Sequence, residues 1–188
     1  MELVDITPLE KWMELEDDVY AKTGLNACVF NTEGSRIAVN RNWANDLCPA
    51  IKGNENGQTF ICAVAHSNIA AMAKKSRKSI VEECDAGLIK LVVPIYLEDE
   101  LLGVFSGCGL VPEDGEIDSF YINKTTRIEE DQVMKLAESV KTLTNAETES
   151  IVSYVEGRLD GIISALGGGG EDAADIVLND LVSERTGK

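Results

Sequence analysis

Leu88-Ile89-Lys90-Leu91-Val92-Val93-Pro94-Ile95-Tyr96-Leu97, then Glu98-Asp99-Glu100, then Leu101-Leu102-Gly103-Val104-Phe105-Ser106-Gly107-Cys108-Gly109-Leu110-Val111, is the stretch that decides the fold. The first run is long, apolar and rich in β-branched residues, which predicts a strand buried on both faces. The acidic triplet makes the turn, and the chain returns as a second strand. Gly103, Gly107 and Gly109 remove side chains where another group approaches closely. Pro94 cannot donate a ladder hydrogen bond, so the first strand is expected at a sheet edge or kinked there.

Upstream, Ser79 to Cys84 alternates as a further strand. Asn26 to Phe30 and Ser35 to Val39 read as a hairpin joined by Asn31-Thr32-Glu33-Gly34, residues that tolerate the positive φ of a tight turn. Thr7 can cap a helix whose first position suits Pro8 and whose third is Glu10, giving an amphipathic helix from Thr7 to Thr23 ended by Gly24. Arg41 to Gly57 is a polar, broken loop anchored by Trp43, Leu47 and Cys48. Ile61, Val64, Ala65, Asn68, Ile69 and Met72 recur at helical spacing, predicting a helix from about Gln58 to Lys75 laid across the sheet.

Downstream, Pro112 to Glu116 is a polar turn and Ile117 to Ile122 is a short strand or irregular. Ile128 to Leu143 and Glu147 to Leu166 read as helices. In the last, Val152, Val155, Leu159, Ile162 and Leu166 form a three-and-four seam. Such a seam serves either a homodimer contact or packing on the domain's own sheet or N-terminal helix. These elements predict an α/β (α+β) domain over residues 1–166 with N- and C-terminal amphipathic helices. Residues 167–188 read as a Gly-rich linker and a short helix or tail.

The chain has 188 residues, 33 acidic against 17 basic, and a net charge of −16. Phosphate backbones and anionic membranes would be repelled, so nucleic-acid and membrane partners are not expected. The one basic cluster, Lys74 to Lys78, sits where a helix should end and where cations favour the helix dipole. No run reaches the roughly 18 apolar residues needed to span a bilayer, and Met1 to Asp5 lacks a basic, then apolar, export signal. A cytoplasmic location follows as an expectation, with the five cysteines as thiols.

Those cysteines are Cys28, Cys48, Cys62, Cys84 and Cys108, and the single histidine, His66, follows Cys62 by one helical turn. Cys62 and His66 share a helix face, while Cys48 comes from the preceding loop and Cys84 from a strand end. There is no C-x-x-C pair, so no zinc ribbon, thioredoxin-like or ferredoxin pattern is present. Buried cysteine is also an ordinary small hydrophobe. That reading suits Cys28 and Cys108, and His66 also reads as an ordinary core or surface histidine. No nucleophile elbow, phosphate loop or dinucleotide fingerprint is found, and no second histidine exists to activate a nucleophile. An enzyme is therefore not expected.

Glu83-Cys84-Asp85-Ala86-Gly87-Leu88, followed by Val93-Pro94-Ile95, Leu102-Gly103-Val104 and Ser106-Gly107, resembles the PocR sensory domain over about Leu9 to Val111. Leu47-Cys48-Pro49 and Cys62 fall where that family also tends to carry cysteines. The resemblance implies a PAS-like or GAF-like sensor fold, an antiparallel sheet flanked by helices, that binds a small organic molecule, such as a short diol, in prokaryotic signalling. Asp85 stands where the family often has histidine. Members usually carry an output domain, and none follows here, so transmission to a downstream signalling protein is expected.

Two functions are carried forward. One is a small-ligand sensor whose pocket lies between the sheet and the Gln58 to Lys75 helix, with Trp43, Tyr96 and Phe105 as apolar walls and Cys48, Cys62 and Cys84 as polar inner groups. The other is a thiolate protein in which Cys48, Cys62 and Cys84, completed by Cys108 or His66, hold zinc or an iron–sulfur cluster, either as the sensing element or in a redox role. For these thiols a set of buried core groups is the plain alternative.

Overall fold

Strands β3 (Ile89–Leu97) and β4 (Glu100–Cys108) pair antiparallel, with a register irregularity at Ile95/Tyr96. β1 (Asn26–Asn31) joins the other side of β4 and β2 (Ile80–Glu83) the other side of β3, giving an antiparallel sheet of order β1-β4-β3-β2. The fold is mixed α/β, a four-stranded sheet flanked by helices, as expected for a PAS-like or GAF-like sensor. This computed structural model describes residues 1–39 and 42–165. The Gly-rich linker, the tail and Leu166 of the seam lie outside the described residues.

Pro94 sits where β3 is locally an edge, just before the register irregularity at Ile95/Tyr96. β3 is an interior strand, but β2 pairs only with Ile89 to Val92, so at Pro94 one side of β3 has no strand neighbour that needs an N–H.

One face of the sheet carries α2 (Leu9–Thr23) and α8 (Asn145–Ser164), whose Trp12, Leu15, Val19, Tyr154, Val155 and Leu159 pack with Val29, Leu91, Val93 and Phe105 in the largest core. Val155 and Leu159 of the expected seam are thus buried in the domain's own core. Thr144 and Glu147 close a capping box at the start of α8. Thr7, expected to cap α2, ends a separate short helix α1 (Leu3–Ile6), and Pro8 occupies the N-cap of α2 without a side-chain cap.

The expected hairpin is only partly formed. Phe30 bridges Arg36, Asn31 N–H donates to Ser35 O at 2.9 Å and Ile37 N–H to Val29 O at 3.1 Å, but 35–39 is not a strand. The Val29 N–H is taken instead by Glu16 Oε1 at 2.7 Å, a carboxylate from α2 that is 1 % exposed. A side chain has replaced a ladder partner along the free edge of β1.

On the opposite face, α3 (Leu47–Gly53) and α4 (Glu55–Gly57) lead into a π-helical turn, Gln58–Ala63, and then α5 (Val64–Ser76). The wider turn shifts the buried face to Ile61, Ala65, Ile69 and Ala73, and leaves Val64 and Met72, expected inside, exposed. α5 ends at Arg77, which takes a left-handed conformation, and Lys74 and Lys75 lie in its last turn.

β5 (Val111–Pro112) follows, and Ile117 to Ile122 is not a strand: it runs into α6 (Ser119–Thr126), capped by Asp118. The helix expected over Ile128 to Leu143 is only α7 (Glu130–Ala137), because Thr142–Leu143 forms β6, parallel to β5. Leu47, Ile51, Ile61, Ala86, Ile122 and Val133 make a second core on this side.

Candidate functional site

Residues paired across antiparallel strands project from the same face. Asn26, Cys108 and Lys90 are mutual partners across β1, β4 and β3 and therefore form one row. Cys28, Ser106 and Val92 form the next row. The first row floors a cavity of about 260 Å³ between the sheet and the π-helical turn, α3 and α5. Cys48, Ile51 and Lys52 from α3, Cys62, Ala65 and His66 from the helical wall, and Cys84, Ala86 and Leu88 from the β2–β3 connection complete it with Trp43 and Phe30.

The Glu83 to Leu88 element builds that connection. Gly87 N–H donates to Cys84 O at 2.8 Å and Cys84 N–H to Leu88 O at 2.8 Å, closing a tight turn. Gly87 has φ +80°, and a Cβ there would meet Glu116 O at 1.9 Å, so both conformation and space require glycine. Ala86 is fully buried in the second core. The Ala-Gly pair is thus architectural, and it presents Cys84 to the cavity.

Asn45, 6 % exposed, holds the opposite wall. Its Nδ2 donates to Gly109 O at 2.5 Å and to Cys48 Sγ at 3.4 Å, while its Oδ1 accepts the Cys48 N–H at 2.7 Å. Gly109, at φ +106°, lets β4 come this close: a Cβ would sit 2.7 Å from Ala44 Cβ and 3.6 Å from Cys48 Sγ.

Cys48, Cys62, Cys84 and Cys108 therefore share one cavity with His66 and Trp43. The two remaining expected walls lie elsewhere. Phe105 is fully buried on the other face of β4, one residue out of phase with Cys108 and Ser106. Tyr96 lies at the far end of β3, where its hydroxyl donates to Lys74 O at 3.0 Å beneath the Arg77 guanidinium. Cys28 is buried beside Asn26, and burial pushes its thiol up to about 12.

Burial also raises the cavity thiols, Cys62 to about 11 and Cys48 and Cys84 upward likewise, so they are neutral SH groups near pH 7. Among the described residues, no three His, Cys, Asp or Glu side chains form a metal-holding group. His66 stacks against Phe30 with ring centroids 4.1 Å apart, and its Nδ1 is buried without a hydrogen-bond partner. Burial first, then the charges of Lys90, Lys52 and Lys74, hold it down at about 4, so the ring is neutral.

Sequence reasoning missed Lys90, Lys52, Asn26 and Asn45. Lys90 carried a signal: it is a lone cation inside the apolar run Leu88 to Leu97, and it is 8 % exposed. Asn45 carried none, because its role depends on Gly109, 64 positions away.

A family model described as the sensory domain found in PocR matches residues 5–165, so the similarity extends through α6, α7 and α8, well past the motifs quoted above. No curated protein and no solved structure matches the chain.

Proposed function

We propose, starting from the fact that this chain belongs to the PocR sensory-domain family, that it is a non-catalytic signalling module whose cavity takes one small organic molecule. The observation that carries this reading is the cavity itself: apolar walls from Trp43, Phe30, Ile51, Ile61 and Leu88, with Asn26, Lys52, His66 and Lys90 among the polar groups of its lining. At about 260 Å³ it lies just below the roughly 300–1,000 Å³ of drug-sized pockets, which suits a short-chain metabolite. No helix among the described residues is long and apolar enough to cross a membrane.

Binding is read by population shift. A ligand that prefers one packing of the helical wall against the sheet biases that packing, and the sheet carries the bias to α2 and α8 on its other face. A homodimer or a downstream signalling protein would receive it through that helical layer.

Thermal melts with a panel of three- and four-carbon diols, aldehydes and acids test the reading. At least one compound should raise the melting temperature of the wild type and leave Ala65→Phe, which fills the cavity, unmoved, with the variant's fold checked by circular dichroism. If no compound shifts the wild type, or if the filled variant responds equally, the cavity is not the sensing site.

A second reading has Cys48, Cys62 and Cys84, completed by Cys108 or His66, hold zinc or an iron–sulfur cluster, supported by their sharing a single cavity. Metal binding would have to displace protons from Cys48, Cys62 and Cys84, whose thiols burial raises. Elemental analysis and an absorption spectrum of protein purified without oxygen, before and after Cys84→Ala, decide it. Stoichiometric metal lost in the variant supports this reading, and metal-free, colourless protein removes it.

A further inference from the structure

We propose that the ligand of this cavity is a small organic carboxylate, whose anionic end is held by Lys90 and Lys52 beside His66. The inference rests on the sensor reading above and narrows it. Lys90 is 8 % exposed and Lys52 half-buried, and both line the cavity. Neither makes a hydrogen bond or ion pair with any described residue. Among the described residues, Glu33 is the only carboxylate that lines this cavity, and it is exposed.

The Lys90 stem is buried and its ammonium has no carboxylate partner among the described residues, and charged groups placed this deep are as a rule paired or functional. Here the missing counter-charge is supplied by what enters the cavity. His66 lines the same cavity, and its Nδ1 is buried without a hydrogen-bond partner among the described residues. A carboxylate beside the ring would offset the lysine charges that, after burial, keep this imidazole neutral.

The rest of the lining selects an organic anion over an inorganic one. Trp43, Ile51, Ile61 and Leu88 give the cavity an apolar side that phosphate or sulfate would leave unfilled. The net charge of −16 repels anions at a distance, so recognition depends on short-range contact with these lysines.

Calorimetric titrations with propionate and lactate, each against its neutral counterpart, 1-propanol and 1,2-propanediol, test the inference. The acids are expected to bind and the neutral compounds not to. Lys90→Met should weaken the acids by roughly ten- to a hundredfold, the worth of a hydrogen bond to a charged group. Lys52→Met, at a more exposed position, should weaken them in the same direction and guards against misfolding of the first variant. Neutral compounds binding as tightly as the acids, with both variants indifferent, would overturn the carboxylate and leave the sensor reading standing. Failure of all four compounds to bind the wild type at tens of millimolar would count against both.

Discussion

Gly109 and His66 show how single residues set the character of the cavity. At Gly109 the backbone is in the positive-φ region and a Cβ would press on Ala44 at 2.7 Å. Gly109→Ala should therefore cost about 1–3 kcal/mol, read as a lower urea midpoint, because the strain and the clash act together. An unchanged midpoint would show that the Asn45 wall yields freely. For His66 the folded value of about 4 lies below the ordinary 6.5. Between those values the unfolded chain binds a proton that the folded chain refuses, so this group removes stability as pH falls through the window and contributes nothing above it. Melts of wild type and His66→Gln should then differ in slope between about pH 6.5 and 4, the variant falling less steeply. Parallel curves would mean that the ring is solvated.

Among the elements, α2 does most to shape the sheet edge. Glu16 accepts the Val29 N–H, and burial raises its carboxyl above the usual range. A raised carboxyl loses stability for the fold as pH rises through its titration, so Glu16→Gln, which retains an acceptor without the charge, should be at least as stable as wild type at pH 7. Glu16→Ala strands the N–H and should cost about 1–3 kcal/mol. Chemical denaturation of the pair checks both, and a Gln variant as damaged as the Ala variant would contradict the argument. The same carboxylate explains why the hairpin was only half legible. Turn chemistry at Asn31 to Gly34 was plain in the sequence, but a long-range competitor for Val29 was not. The α8 helix was legible because its periodicity is served by a single core, and the β3–β4 pair because its run is buried on both faces, Val93 and Phe105 in the largest core and Val92 and Val104 against α5. Ile128 to Leu143 was misread because it serves two: Val133 packs in the second core, whereas Leu143 belongs to the first.

Across the whole molecule, the candidate cavity and the terminal helices occupy opposite faces of one sheet. α8 is tied to α2 by Arg158, which donates to Asp18 Oδ2 at 2.5 Å, by the Tyr154 hydroxyl on the same oxygen, and by Lys22, which donates to that hydroxyl at 2.9 Å. Of the candidate site, the participation of Cys48, Cys62, Cys84 and Trp43 could be anticipated from the sequence, whereas the floor row Asn26–Cys108–Lys90 exists only through strand pairing. The global charge of −16 adds a property that no local contact reveals. Self-repulsion is screened within about 10 Å at 0.1 M salt, so the melting temperature should rise from low salt to physiological ionic strength. A fall would mean that ion pairs such as Asp18–Arg158 outweigh the repulsion.

The π-helical turn at Gln58–Ala63 makes chain length itself a determinant of the helical wall. It carries one residue more than the α-helix needs to cover the same turn, and each residue of an α-helix rotates its neighbours by about 100°. Removing a single position there would reset the phase between Gly57, whose missing Cβ leaves room for Ile51 O at 2.2 Å, and His66 on the far side. One end of the wall would have to turn away, whichever residue was deleted. Substitutions are tolerated here according to what they replace, but a one-residue deletion has no conservative version.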